Sequence, residues 1–202
     1  AYKNLISPKR VAIATLKQFE EKLARRGDAE DRVKLTQELR ETIELEQQVL
    51  CRDVLALLDD FVLPSTSTAE GKVFFFKMKG DYNRYLTECT VEEARKEAIE
   101  GALQAYEAGS DIAKAELAVV NPILLGLALN FSVFYYEILK SPEKAFSHAR
   151  SAYDEAYQAL NSDDSTKSDE EAKKLVQTIL ELLRDNCNLW QSDIQANEEN
   201  NV

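Results

Sequence analysis

Four stretches of the chain space polar side chains so that they share a helix face. Lys3 and Arg10 stand seven residues apart, and Lys77 and Arg84 repeat that interval with Asp81 between them and Tyr85 alongside. Asn130 and Glu137 repeat it again around Val133, and Leu182, Asn186 and Trp190 follow at intervals of four. Two turns of helix take about seven residues, so each set lies on one stripe. Amphipathic helices routinely show charges to water, and that reading suits Lys3 and Arg10 taken alone. It suits Asn130 and Glu137 less, because an amide and a carboxylate on an almost wholly apolar helix must find partners. They either pair with cations of another helix or line a groove.

Catalytic chemistry is poorly served. His148 is the single histidine, too few for a His-ligated metal centre, and a Ser-His-Asp triad would need that one histidine beside a nucleophile. Ala145 stands three residues before it, where a di-iron bundle needs Glu. No phosphate-cradling glycine loop is present, and no carboxylate pair sits in an apolar setting that would raise a pKa. We expect no catalytic set, no cofactor and no metal. Cys51, Cys89 and Cys187 form an odd set without metal spacing and read as small core residues of a reduced, intracellular protein.

The elements that position the stripes are helical throughout. Of 202 residues, 45% are apolar, enough for a core, and 6 Gly with 4 Pro are too few for an all-β or doubly wound fold. The net charge of −11 argues against a general nucleic-acid binder, and no apolar run suggests a membrane helix. Seven amphipathic segments are expected. The first runs from Ala1 to Arg26. The second, starting after Asp28 and reaching about Phe61, carries an apolar stripe of Val33, Leu39, Ile43, Leu50, Val54, Leu57, Leu58 and Phe61. Capping boxes at Ser67–Glu70, Thr90–Glu93 and Ser168–Glu171 open the third, fourth and seventh. Asn121-Pro122 and Ser141-Pro142 open the fifth and sixth. The fifth, PILLGLALNFSVFYYEIL, is apolar nearly all round and should be the most buried. The predicted architecture is an all-α antiparallel array in one domain, 1–191, followed by an acidic flexible tail, 192–202. A tetratricopeptide-like scaffold binding unmodified peptides is the alternative, but no period of about 34 residues runs through the chain.

Several stretches resemble the 14-3-3 proteins. VFFFKMKGDYNRYLTE (Val73–Glu88), LGLALNFSVFYYEILKSPEKA (Leu125–Ala145) and LLRDNCNLW (Leu182–Trp190) are similar to signature stretches of that family. AYKN at the start and CRDVLALLDDF (Cys51–Phe61) agree with them, in the same order along nearly the whole chain. The resemblance implies an all-helical, non-enzymatic adaptor that holds Ser/Thr-phosphorylated segments of other proteins in an amphipathic groove. Its partners would be phosphorylated proteins and a second subunit, identical or paralogous, with no nucleic acid and no membrane. Its location would be the cytoplasm, with the nucleus as a second compartment, of a eukaryotic cell. Carried over by position, Lys3, Arg10, Arg84 and Tyr85 would bind the phosphate. Asn130 and Asn186 would hold the peptide backbone, with Glu137 and Trp190 beside them and Lys77 on the basic side. Leu129, Val133, Leu182 and Leu189 would form the apolar wall.

The departures from the family pattern are specific. The resemblance begins at the family's third helix, and the two before it, which supply much of the dimer contact, have no counterpart here. Pro8 stands just before Arg10 and can kink the helix. Asn83 replaces an aromatic residue, Leu124 an Arg, and Ala12 a Ser whose phosphorylation is associated in the family with breaking the dimer.

Overall fold

The computed structural model describes residues 2–26, 30–162 and 170–199. They form seven long helices and no strand. In chain order these are α1 (Tyr2–Arg26), α2 (Glu30–Leu57), α3 (Ala69–Thr87), α4 (Glu92–Glu116), α5 (Pro122–Glu137), α6 (Pro142–Ser162) and α7 (Glu170–Glu199). The chain leaves α2 through a π-helical turn, Leu58–Val62, and a last short turn, Leu63–Ser65. The all-α array expected from the periodicity is therefore present.

Local signals set the ends unequally. Asn121 caps α5 as expected: its side chain accepts from the Ile123 N–H, with Pro122 in the first turn. At α3 the cap is Thr68, not Ser67; its hydroxyl accepts from the Gly71 N–H. The Thr90–Glu93 box does not form, because the Thr90 hydroxyl donates to the Leu86 carbonyl (2.6 Å) and so closes α3 instead of opening α4. Ser168 and most of the linker before it lie outside the described residues. Pro8 sits inside α1 without ending it. The last helix continues through the acidic stretch to Glu199, past the expected tail boundary at 192.

Helices α3 and α5 are the hub. The first packs on α2, α4 and α5, and the second on α3, α4, α6 and α7. One cluster, of Ile6, Cys51, Val54, Tyr82, Leu86 and Cys89 among others, joins α1 and α2 to α3. A second, around Val73, Tyr106, Leu127, Phe131 and Phe134, joins α3, α4 and α5. A third, with Ala145, Ala149, Leu183, Cys187 and Trp190, joins α5, α6 and α7. All three cysteines are buried thiols, as expected; burial pushes Cys51 and Cys89 up to about 12.

Two burial expectations are corrected. Eight residues of α3 are buried against six of α5, because α3 also buries Asp81, Asn83, Arg84 and Thr87. Along the apolar stripe of α2 and the π-helical turn after it, Val54 and Leu58 are buried, but Leu39, Leu57 and Phe61 are exposed. That helix is apolar on more than the face that meets α1 and α3.

Candidate functional site

The end of α3 collects the charged residues. Asp81 is only 8% exposed and Arg84 only 7%. Burying charges is costly unless each finds partners. Asp81 finds them on three helices. Its Oδ1 accepts from the Tyr106 hydroxyl on α4 (2.7 Å) and from Asn130 Nδ2 on α5 (2.7 Å). Its Oδ2 accepts from Lys77 Nζ one turn earlier (2.7 Å).

Arg84 lies against the same group, with Nη2 3.9 Å from Asp81 Oδ1 and Nε 3.5 Å from the Tyr106 oxygen. Its Nη1 approaches Glu137 Oε2 at 3.6 Å. Burial opposes the Arg84 charge, but the Tyr106 oxygen and the Asp81 carboxylate outweigh it and raise the pKa. Tyr106 itself is held well above the usual phenol range by burial and by Asp81, so its hydroxyl keeps its proton to donate.

Arg10 reaches this cluster from α1. Its guanidinium lies 4.2 Å from the Tyr85 ring centre, and that of Arg84 lies 5.0 Å from the same ring. Both are within the range of cation–π attraction. Arg10 also makes a fork with the Glu88 carboxylate, Nε to Oε2 at 2.7 Å and Nη2 to Oε1 at 2.6 Å. Burial opposes the Arg10 charge, the Glu88 bonds outweigh it, and the neighbouring Arg84 works against it; the net shift is upward. Tyr85 is raised by burial and by Asp81 while the two guanidiniums pull it the other way. Its backbone is fixed from behind by Gln47, fully buried on α2, whose Nε2 donates to the Tyr85 carbonyl (3.0 Å).

Arg10, Arg84, Tyr85, Lys77, Asn130 and Glu137 thus belong to one connected set of contacts drawn from α1, α3 and α5. Lys3 does not join it: it is exposed on α1, and no ion pair to a described residue holds it. Leu129 and Val133 are half-buried and pack on the α5–α7 cluster. Leu182 and Leu189 stand 48% and 54% exposed on α7, with Asn186 half-buried between them. Trp190 is 2% exposed and stacks on Tyr136, with ring centres 5.3 Å apart, so it supports α7 from inside.

Three participants escaped the sequence reading. Glu88 lies one turn beyond Arg84, but its partner comes from 78 residues away. Gln47 is a polar residue on the buried side of α2, a signal that was there to find. Tyr106 is the one aromatic residue in the small-residue run GALQAYEAG, another legible sign.

Among the described residues no group of His, Cys, Asp and Glu is arranged to hold a metal ion, and no helix is long and apolar enough to cross a membrane.

Comparison with known proteins places the chain. A family model described as 14-3-3 protein matches residues 1–191. The chain is 50% identical over 195 residues to "14-3-3-like protein B" of Nicotiana tabacum, covering 96% of this chain and 74% of that protein. It is 48% identical over 198 residues to "Checkpoint signal transducer rad25" of Schizosaccharomyces pombe, covering 98% and 71%. It is 45% identical over 202 residues to "14-3-3 protein beta/alpha-A" of Xenopus laevis, covering 100% and 80%.

Proposed function

The chain belongs to the 14-3-3 family, whose members are signalling adaptors that bind Ser/Thr-phosphorylated proteins, and we propose from that premise that Arg10, Arg84 and Tyr85 receive the phosphate of a client segment. The observation that carries this reading is the meeting of two guanidiniums, from stretches of chain far apart in sequence, at one phenol ring. A phosphoserine brings about −1.5 to −2 charges and three acceptor oxygens. Guanidinium forks and a hydroxyl match such a group in charge and geometry. Lys3, exposed on the same helix as Arg10, adds an ammonium.

Selectivity for the phosphorylated form follows from Glu88. Arg10 already has a carboxylate partner, so a ligand must compete for it. A dianion competes well and a neutral Ser hydroxyl does not. Asn130 and Asn186, each offering a donor and an acceptor, would grip the client's backbone without reading its side chains. Leu129, Val133, Leu182 and Leu189 would take its apolar side chains. The protein works in the cytoplasm or nucleus, as one subunit of a homodimer or of a pair with a paralogue; two sites on a dimer would hold a doubly phosphorylated client with avidity above either alone.

The experiment is titration of a labelled phosphopeptide, read by fluorescence anisotropy, into wild type and into Arg84→Ala and Arg10→Ala. Each substitution should cost about 2–5 kcal/mol, the range for removing one partner of a buried charge pair. Removing the phosphate from the peptide should abolish binding. Equal binding of the unphosphorylated peptide would favour a scaffold for unmodified peptides and sink this reading.

A further inference from the structure

We infer that Asp81 and Tyr106 are positioning residues that lock the phosphate-holding Arg84 and the backbone-holding Asn130 into one unit. This rests on the phosphopeptide reading above and adds to it two residues that themselves need not touch the ligand.

The geometry is that of a shared anchor. A single oxygen, Asp81 Oδ1, accepts from Tyr106 on one neighbouring helix and from Asn130 on another, both at 2.7 Å, and lies 3.9 Å from Arg84 Nη2. By taking one Nδ2 hydrogen of Asn130, the carboxylate fixes which way that amide points. The amide carbonyl and the second N–H are thereby left to meet a peptide group, which needs one donor and one acceptor. The same oxygen and the Tyr106 hydroxyl hold the inner edge of the Arg84 guanidinium. A side chain held in this way does not have to be ordered when the ligand arrives, and that saving appears as affinity.

Tyr106 in turn cannot drift. It is fully buried, stacks on Phe131 with ring centres 5.2 Å apart, and lies against Gly80 so closely that a Cβ there would come within 2.5 Å of its ring. The hydroxyl is thus presented to Asp81 by packing from α3, α4 and α5 together. Arg84 and Asn130, 46 positions apart in sequence, are both held through one carboxylate. The sequence stripes give no hint of that coupling.

A merely structural role would weaken every ligand alike, and a positioning role would not. Asp81→Asn removes a negative charge next to the cations, so it should leave the affinity for inorganic phosphate unchanged or raise it. The same substitution frees Lys77, Arg84 and Asn130 from their common partner, so it should weaken a phosphopeptide about tenfold. Tyr106→Phe keeps the ring and its packing and removes only the hydroxyl; it should weaken the phosphopeptide about threefold to tenfold and inorganic phosphate by less, since the free anion loses only the hold on Arg84 while the peptide also loses the hold on Asn130. The measurement is anisotropy with labelled phosphopeptide, first by direct titration and then by displacement with inorganic phosphate.

Because Asp81→Asn removes a buried charge and could disturb folding, Tyr106→Phe is the decisive arm. Wild-type phosphopeptide affinity in Tyr106→Phe, or losses for peptide and inorganic phosphate that move in step, would overturn the positioning role while leaving the phosphate site standing. A wild-type protein that binds phosphorylated and plain peptide equally would overturn the function and this role with it.

Discussion

Two polar side chains, Tyr106 fully buried and His148 half-buried, touch the same ring, Phe131, and have opposite fates. On one side, Tyr106 stacks on that ring and gives its hydroxyl to Asp81 (2.7 Å), in a cluster where Lys77, Asn130 and Arg84 also converge. On the other, His148 meets the ring edge-on with centres 4.9 Å apart, and its Nε2 atom is buried without a hydrogen-bond partner among the described residues. The first group is polar because the groups around it must be charged and still. The second has a buried ring nitrogen with no such partner among the described residues. A buried network with its members satisfied and a buried orphan differ in sign as well as size.

The sharpest way to test the satisfied side is to remove its centre. Asp81→Ala should lower folding stability by about 3–5 kcal/mol, because Lys77, Tyr106 and Asn130 lose their common acceptor and the buried Arg84 keeps only the half-exposed Glu137 carboxylate as an ion-pair partner among the described residues. Arg84→Ala should cost less stability, since Asp81 keeps Lys77, Tyr106 and Asn130. Urea titrations of the two variants, compared with wild type, decide the order. Equal losses would mean that Asp81 is not the centre of the cluster.

The orphan side should show itself through pH. Burial lowers His148 to about 4, and the Lys114 charge works in the same direction. The groups packed around it also include the rings of Phe131 and Tyr135 on α5. Its own helix adds Glu143, Lys144 and Glu155 along the clefts that His148 lines. A folded-state pKa below the ordinary 6.5 means that the unfolded chain takes up the proton first. Stability from the neutral imidazole is therefore complete above 6.5 and is lost as pH falls toward 4. At pH 5 the loss should be about 2 kcal/mol relative to pH 7.5. In His148→Leu the unfolding free energy from urea titration should fall less over that interval, by about 2 kcal/mol. Parallel pH profiles in the two proteins would show that His148 finds a partner in solution and that the contrast with Tyr106 is false.

The same contrast explains what the sequence could disclose. Helix positions and the residues sharing a face are local properties, so the stripes through Lys77 and Arg84 and through Asn130 and Glu137 were readable. What joins the stripes is not local. Glu88 is a charge like many others until Arg10 arrives from α1, and Asp81 offers no sign that it will accept from Tyr106 and Asn130 at once. The α2 stripe misled for a related reason: periodicity says which residues share a face, not how many faces a helix covers, and Leu39, Leu57 and Phe61 remain exposed. Trp190 shares its face with Leu182 and Asn186 by spacing, which is local, whereas its stacking on Tyr136 of another helix is not. Caps failed where a hydroxyl had a nearer carbonyl to bond, as at Thr90.

A small substitution probes how tightly the satisfied side is built. Gly80 lies inside α3 against the Tyr106 ring, where an added Cβ would approach Cε1, Cδ1 and Cζ at 2.5, 2.6 and 2.8 Å. Gly80→Ala gains helix propensity, roughly 0.5–1 kcal/mol. It also forces a fully buried ring to move, and overpacking of that kind costs about 1–3 kcal/mol. The net effect on stability should be a loss of about 1–2 kcal/mol. The ring cannot shift without carrying its hydroxyl away from Asp81, so phosphopeptide affinity should fall together with stability. A mutation at the far side of the array with the same loss of stability would leave affinity alone. If Gly80→Ala were instead neutral or stabilising, with affinity intact, the α3–α4 contact would be looser than drawn. Tyr106 would then be no better fixed than His148.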